Sequence, residues 1–375
     1  MPDKIKIVFI CSSLEPGHDG VGDYTRRLSA ALIKAGHSCA ILSLNDRHAK
    51  NTFEGTQQAD EIDVPVFRLG ADIELKQRFA IAKQWVDKVD PQWLSLQFVP
   101  FGYHPKGLKP GLSKLLLTLS KGRSWHIMFH ELWVGMADEE SKKLHFWGLA
   151  QRVLIRSLVK NLAPKVIHTQ THLYQTLLAK MGFKAGYLPL YGNIPVIGNI
   201  NGNRPAGKLS FVVFGAIHDR APISEFAKEA AQYAEKFRLP VTLTIIGRGN
   251  NEQQRWADVW AAAGLTVERL GELSAQRISE VLSNATIGLS ATALAVIEKS
   301  GSYAAMREHG LPVISVSKAW TPTRVSKPAI PIGVEEYTIG NLEECVANSK
   351  FQPYGSNVDV VSVKFAQALT NLKTE

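Results

Sequence analysis

Cysteine is scarce in this sequence, and hydrophobic runs of membrane length are absent. The 375 residues include three cysteines, Cys11, Cys39 and Cys345. The number is odd and the spacing suits neither a metal site nor a disulfide framework, so a reducing, cytoplasmic setting is expected. No apolar run approaches the roughly 20 residues of a membrane span. The first apolar stretch, Ile5 to Ile10, is rich in β-branched residues and lacks a following small-residue cleavage site. It reads as a buried strand, not a signal peptide. There is no internal repeat and no low-complexity tract. No Asp-x-Asp pattern stands out at a strand end, so no bound metal and no cofactor are expected. No aromatic-interleaved basic patch is present, so nucleic acid is not an expected partner.

Acidic residues are also unevenly missing. The net charge is +9, and residues 101–187 hold 13 Lys+Arg against 4 Asp+Glu. One face of the N-terminal half is therefore expected to meet something anionic. The densest part is 141–165, SKKLHFWGLAQRVLIRSLVKNLAPK, with six Lys/Arg and no carboxylate. Leu144, Trp147, Leu149, Val153, Leu154 and Leu158 recur there at roughly helical spacing. Two readings stand: a helix lying on an anionic membrane, or a core-packing helix with a solvated basic face.

What is present is an α/β pattern, with strands alternating with helices of 10–15 residues. Expected strands in the first half are 5–10, 39–44, 64–69, 93–99 and 166–170, with 125–133 a strand running into a loop. Those in the second are 210–216, 241–247, 267–271, 286–291 and 312–316. Proline and glycine thicken at 187–210, which reads as a linker. The expected organisation is therefore two doubly wound parallel-sheet domains, 1–188 and 210–355, joined by 189–209. A terminal amphipathic helix within 356–375 could return to the first domain. Ligands of such sheets sit at the carboxyl ends of the strands, so two facing sheets would hold their site in the cleft between them.

The loop SLEPGHDGVGDY leads from the first strand into a helix expected from about Asp23. Gly20 and Gly22 would let a ligand approach the main chain, next to the positive end of the helix. A tight turn capped by Asp23 is the plainer reading. In the second half, Ser300, Gly301 and Ser302 open another helix. Free amides, two hydroxyls and the neighbouring Lys299 would suit a diphosphate, although serine is also an ordinary cap.

DGVGDYTRRLSAALIKAGHSCAIL, HIMFHELW, VIHTQTHLYQTLLAKMGFKAGYLPLYGNIP and the stretch from LTIIGRGN to GSYAAMREHGLPVISV occur in an order that resembles the GT-B glycosyltransferases, in particular the retaining family-4 type. The resemblance covers nearly the whole chain. It implies an N-terminal acceptor domain, a C-terminal nucleotide-sugar domain, and metal-independent transfer of a sugar to a hydroxyl with retention. Cell-surface polysaccharide or glycolipid synthesis, with a lipid-linked acceptor, would suit the basic helix and a place on the cytoplasmic face of the membrane.

The resemblance also implies site residues. His130 would lie beside the sugar and donate a hydrogen bond to it or to the diphosphate, with Glu131, Asp19 and Asp23 toward the acceptor. Gly20, Gly22, Gly247, Arg248, Glu272, Leu273, Ser300, Gly301 and Ser302 would face the donor. Two family positions are altered. Glu298 falls within one residue of the first of two glutamates, but the second, which holds the ribose, falls on Ala305. Ala216 stands where an arginine is expected, so Arg220, with His218, is the expected replacement cation, joined by Lys299. These losses keep two other readings open: a nucleotide-sugar-binding protein with weakened catalysis, and a sugar-nucleotide epimerase on the same architecture.

Overall fold

The computed structural model describes residues 4–198 and 207–371. The expected linker lies partly outside this range, at 199–206. The chain divides into two compact units. The first comprises 1–189, 323–325 and 358–375, and the second 190–322 and 326–357.

The first unit has eight strands: β1 (Lys6–Cys11), β2 (Ser38–Asp46), β3 (Phe53–Ala59), β4 (Ile62–Gly70), β5 (Trp93–Phe98), β6 (Ser124–Phe129), β7 (Val166–Thr169) and β8 (Gly186–Tyr187). Their order is β3-β4-β2-β1-β5-β6-β7-β8. Every pair is parallel except the edge pair β3 and β4. The central strands are apolar on both faces because helices cover both. Val8, Phe9 and Ile10 are fully buried in β1, and Leu94 and Leu96 in β5. The order reverses beside β1, so the ends of β1, β5 and β6 form the switch point at which a doubly wound sheet takes its ligand.

The helix after β1 spans Gly20–Lys34, three residues earlier than the sequence pattern predicts. Asp19, not Asp23, is the cap. Its carboxylate accepts the amides of Val21 and Gly22 at 2.9 and 2.8 Å. A β-carbon on Gly22 would stand 2.9 Å from the Ser13 carbonyl oxygen, whereas one on Gly20 would meet nothing within 4 Å. Helix-to-loop packing therefore requires the glycine at 22, and the amide that follows the loop is already taken.

The basic segment forms the helix Lys142–Leu162, capped by Ser141. Its packed face differs from the one the apolar spacing predicts. Gly148, Gln151, Ile155, Leu158, Val159 and Leu162 are buried, while Leu149 and Val153 are exposed. Gly148 sets this rotation, because a β-carbon there would collide with the Val134 carbonyl oxygen. The C-terminal helix Val358–Thr370 packs on the Gly20–Lys34 helix and belongs to the first unit. Its Phe365 ring stacks on Phe9 at 5.6 Å and meets the edge of His126 at 5.0 Å.

The second unit has six parallel strands: β9 (Leu209–Phe214), β10 (Val241–Ile246), β11 (Thr266–Gly271), β12 (Ile287–Ser290), β13 (Val313–Ser315) and β14 (Val334–Glu336). Their order is β11-β10-β9-β12-β13-β14, with the switch point at β9. On one face, Trp256 and Trp260 of the helix Asn251–Ala262 are fully buried with Phe211 and Phe226. Each aromatic side chain removes about 150–250 Å² from water, worth at most about 4–6 kcal/mol at ~25 cal/mol/Å². Trp260 Nε1 donates to the Thr266 carbonyl at 3.0 Å. No described helix is long and apolar enough to cross a membrane.

Candidate functional site

The most concentrated anion-binding geometry lies in the second unit. The helix Gly301–Glu308 begins where the chain leaves a 3-10 turn, Leu294–Lys299. Ser300 caps it, its Oγ accepting the Tyr303 amide at 3.3 Å and lying 3.0 Å from the Ser302 Oγ. The Ser300 and Ala304 amides are satisfied by backbone carbonyls. Those of Gly301 and Ser302 have no partner among the described residues. They sit at a cavity of about 330 Å³ whose wall includes Phe214, Gly215, His218, Thr292, Lys299 and Ser302. Phe214 ends β9, Gly215 follows it and Thr292 follows β12, so the cavity stands at the switch point. Gly215 takes φ +89, a left-handed backbone that favours glycine, and turns the chain away from β9 beside Ser302.

Positive charge gathers at this mouth. Burial, then Lys299 and Lys318, hold the His218 imidazole below its ordinary pKa, and Asp219 opposes them. Asp219 in turn lies 3.6 Å from the Lys318 ammonium and 3.5 Å from Arg220. An anion in the cavity would relieve the mutual repulsion of His218 and the two lysines. The sequence reading missed Lys318. The available signal was its place three residues beyond the end of β13.

Arg220 is not where the sequence places it. It has a left-handed backbone at φ +63, and its side chain is 80% exposed, paired only with neighbouring Asp219. Like Lys318, it does not line the cavity, whose lining cation is Lys299; Lys318 acts there through the charge it places near His218. Arg248 and Glu272 pair with each other on the surface, clasping the loops after β10 and β11. The Gly247 amide donates to the Gly271 carbonyl at 2.8 Å. Leu273 packs partly buried against the core. These four residues frame neighbouring loops and do not line the cavity.

Glu298 is nearly buried in the 3-10 turn. Ala305 is fully buried, and a β-carbon on Gly192 would come within 2.7 Å of its Cα. Any side chain at 192 would therefore run into the Ala305 main chain. The nearby carboxylate, Glu308, accepts the Gly192 amide at 2.8 Å.

In the first unit, His130 follows β6 and meets Tyr24 of the Gly20–Lys34 helix edge-on at 4.9 Å. The structure thereby joins the glycine loop's helix to the end of β6. The imidazole is not free to donate to a ligand, however. His130 Nε2 lies 2.9 Å from Gln97 Oε1, which can only accept. Burial lowers the His130 pKa to about 4, and a side-chain hydrogen bond with Gln170 opposes that only in part. His130 is therefore a neutral, clamped core residue.

The chain of bonds continues inward. Gln97 Nε2 donates to Ser95 Oγ at 2.8 Å. The serine hydroxyl is 2.7 Å from His126 Nδ1, and His126 Nε2 is 3.1 Å from His168 Nδ1. One direction satisfies every member: Ser95 donates to His126, which donates to His168. Burial also drives both of these histidines down, His168 to about 4. Gln97, Gln170, Ser95, His126 and His168 were not singled out in the sequence, where the alternation of strand residues conceals polar side chains in the core.

Asp19 is committed to its cap, and burial raises its pKa. Asp23 accepts the Gly17 amide at 3.1 Å and pairs with Arg26. Glu131 is half-buried beside His130. Tyr103 is buried close to Asp19 and Cys11, and its hydroxyl has no partner among the described residues. The described residues include no group of three or more His, Cys, Asp or Glu arranged to hold a metal.

The sequence matches no protein-family model and no curated relative. Solved structures do match, over 98–99% of this chain. The lipopolysaccharide outer core galactosyltransferase WaaB, in its apo form, is 14% identical over 100% of its own chain with a TM-score of 0.53. HepE of Anabaena, solved with UDP and glucose, is 13% identical over 100% of its chain at 0.57. A putative UDP-N-acetylglucosamine 2-epimerase of Listeria monocytogenes is 13% identical over 97% of its chain at 0.53. With one parallel-sheet unit of eight strands and another of six, this chain has the GT-B fold.

Proposed function

We propose that the chain is a glycosyltransferase that takes a sugar from a nucleotide diphosphate and delivers it to a hydroxyl acceptor. The observation that carries the reading is the pair of unbonded amides at Gly301 and Ser302, facing the same cavity as His218 and Lys299. Expelling a diphosphate builds negative charge on the leaving oxygen, and donors fixed beforehand at that point lower the barrier without reorganising. Lys318, which adds to the charge around His218, extends this set. HepE, with its UDP and glucose, and WaaB, a galactosyltransferase, support the assignment by likeness of fold.

The reaction is read as retaining and metal-independent, as the family resemblance implies, with the leaving phosphate helping to take the acceptor's proton. The first unit is read as the acceptor side, with Tyr103, Glu131 and the capped loop at Asp19 nearest the end of β1. His130 is assigned a positioning role, because it is buried and bonded to Gln97. Cell-surface polysaccharide or glycolipid synthesis is the setting we favour, in the cytoplasm and with a lipid-linked acceptor. The three buried free thiols fit a reducing compartment.

A second reading has a specific observation behind it. A fully buried Ala305 stands where the resemblance implies the ribose-binding glutamate, which suits a nucleotide-sugar binder with little turnover. An epimerase would share the fold. A thermal-shift screen of UDP-, ADP-, GDP- and TDP-sugars tests the common core: a bound donor at a hundredfold excess over Kd adds about 2.7 kcal/mol. Release of nucleotide and sugar without acceptor marks a transferase, an inverted sugar still joined to its nucleotide an epimerase, and binding without either a binder. A screen in which no nucleotide sugar raises the midpoint overturns the proposal.

A further inference from the structure

The Lys142–Leu162 helix carries a second face that sugar transfer does not explain. Lys142, Phe146, Leu149, Val153, Arg156 and Lys160 follow one another at steps of 4, 3, 4, 3 and 4 residues, which places them along one side of a helix. All six are exposed. Phe146 is 72% exposed, Leu149 50% and Val153 68%. The opposite side, through Ile155, Leu158 and Val159, packs on the first unit. The helix is thus amphipathic inward, yet its outward side has an apolar centre with cations at both ends.

Asp138, Glu139 and Glu140 precede the helix, but among the described residues no carboxylate pairs with those cations. The helix contains no acidic residue, and Lys142, Lys143, Arg156 and Lys160 form no ion pair among the described residues. The neighbouring short helix Leu112–Leu117 packs against this one and adds an exposed Lys114 and Leu117. A protein partner would leave the cations to be matched one by one. A sheet of anionic headgroups over hydrocarbon matches both halves of the pattern at once: shallow insertion of Phe146, Leu149 and Val153, and phosphates for the flanking lysines and arginine.

We propose that this face docks the protein on an anionic phospholipid bilayer, with the helix lying in the plane of the interface. The proposal rests on the exposed stripe and its charge, independently of what the second unit binds.

The test is co-sedimentation of the full chain with vesicles of phosphatidylcholine alone and of phosphatidylcholine with phosphatidylglycerol. Binding is expected to the mixed vesicles only and to weaken as salt rises. Lys142→Ala, Arg156→Ala and Lys160→Ala should each lower partitioning about fivefold, and Phe146→Ser or Val153→Ser about tenfold. The thermal midpoint should stay put, since these side chains stand in solvent. Nucleotide binding, measured on the same variants, should not change. The proposal is overturned if the wild-type chain stays in solution with both vesicle types. It is equally overturned if these substitutions leave sedimentation unaltered, or if the face instead pairs two copies of the chain, seen as a dimer that Phe146→Ser dissolves.

Discussion

His126 Nε2 and His168 Nδ1 lie 3.1 Å apart between β6 and β7, with both rings almost wholly withdrawn from water. The pair continues through Ser95 and Gln97 to His130, so three neutral imidazoles share one buried network.

That network fixes how the protein should respond to acid. The folded-state pKa values of His130 and His168 are about 4, against 6.5 for the free side chain, and that of His126 is well below it. Between pH 6.5 and about 4 the unfolded chain therefore binds protons that the folded chain does not, and stability falls as pH falls through this window. Urea midpoints of the full chain should drop steadily from pH 7 to 4, with uptake approaching three protons. A His168→Gln variant should show a shallower slope. Midpoints that are flat over this range would contradict the neutral assignments.

Two glycines in one loop separate packing from ligand approach. Gly22→Ala should cost about 1–3 kcal/mol, because its β-carbon meets the Ser13 carbonyl at 2.9 Å. Gly20→Ala meets open space and should be neutral or stabilising by up to about 1 kcal/mol. Chemical denaturation of the two variants decides this. Equal losses would mean that the loop is kept bare for another reason.

Asp19→Ala removes the acceptor of two helix amides and should cost about 0.5–2 kcal/mol, while Asp19→Asn should retain most of the stability. A residue kept only for an acceptor would leave the denaturation midpoint unmoved in both variants.

The cations around the cavity should not be equivalent. Calorimetric titration with UDP should show Lys299→Ala and Lys318→Ala weakening binding about tenfold, in line with ~1.5–3 kcal/mol for hydrogen bonds to charged groups discounted for the exposure of Lys318. Arg220→Ala, whose guanidinium stands in solvent beside Asp219, should change it less than about twofold. The reverse ranking would restore Arg220 to the site.

Much of the fold is legible in the sequence, because parallel strands buried on both faces announce themselves as runs such as IKIVFI and VTLTII. What escapes is governed by other forces. The edge strand β3, FEGTQQA, is largely exposed, so its sequence carries no apolar alternation, and pairing with β4 alone makes it a strand. The rotation of the Lys142–Leu162 helix is set by Gly148, a residue invisible to a count of apolar positions. In the candidate site, the Ser300–Ser302 turn is legible because capping and anion binding use the same residues. Lys318 is not, since only the sheet order brings the end of β13 near the cation cluster at β9. His130 stands out in the sequence, but Gln97 lies on β5 and Gln170 just past β7.

The helix Val358–Thr370 closes the first unit, setting Phe365 over Phe9 and His126. On the ribosome that lid arrives last. Everything between residue 189 and the final helix must be synthesised before Phe9 acquires its cover, a delay of roughly 10–40 s at about 5–20 residues per second. The nascent first unit must therefore wait, with part of its apolar sheet uncovered, for residues 358–370 to emerge.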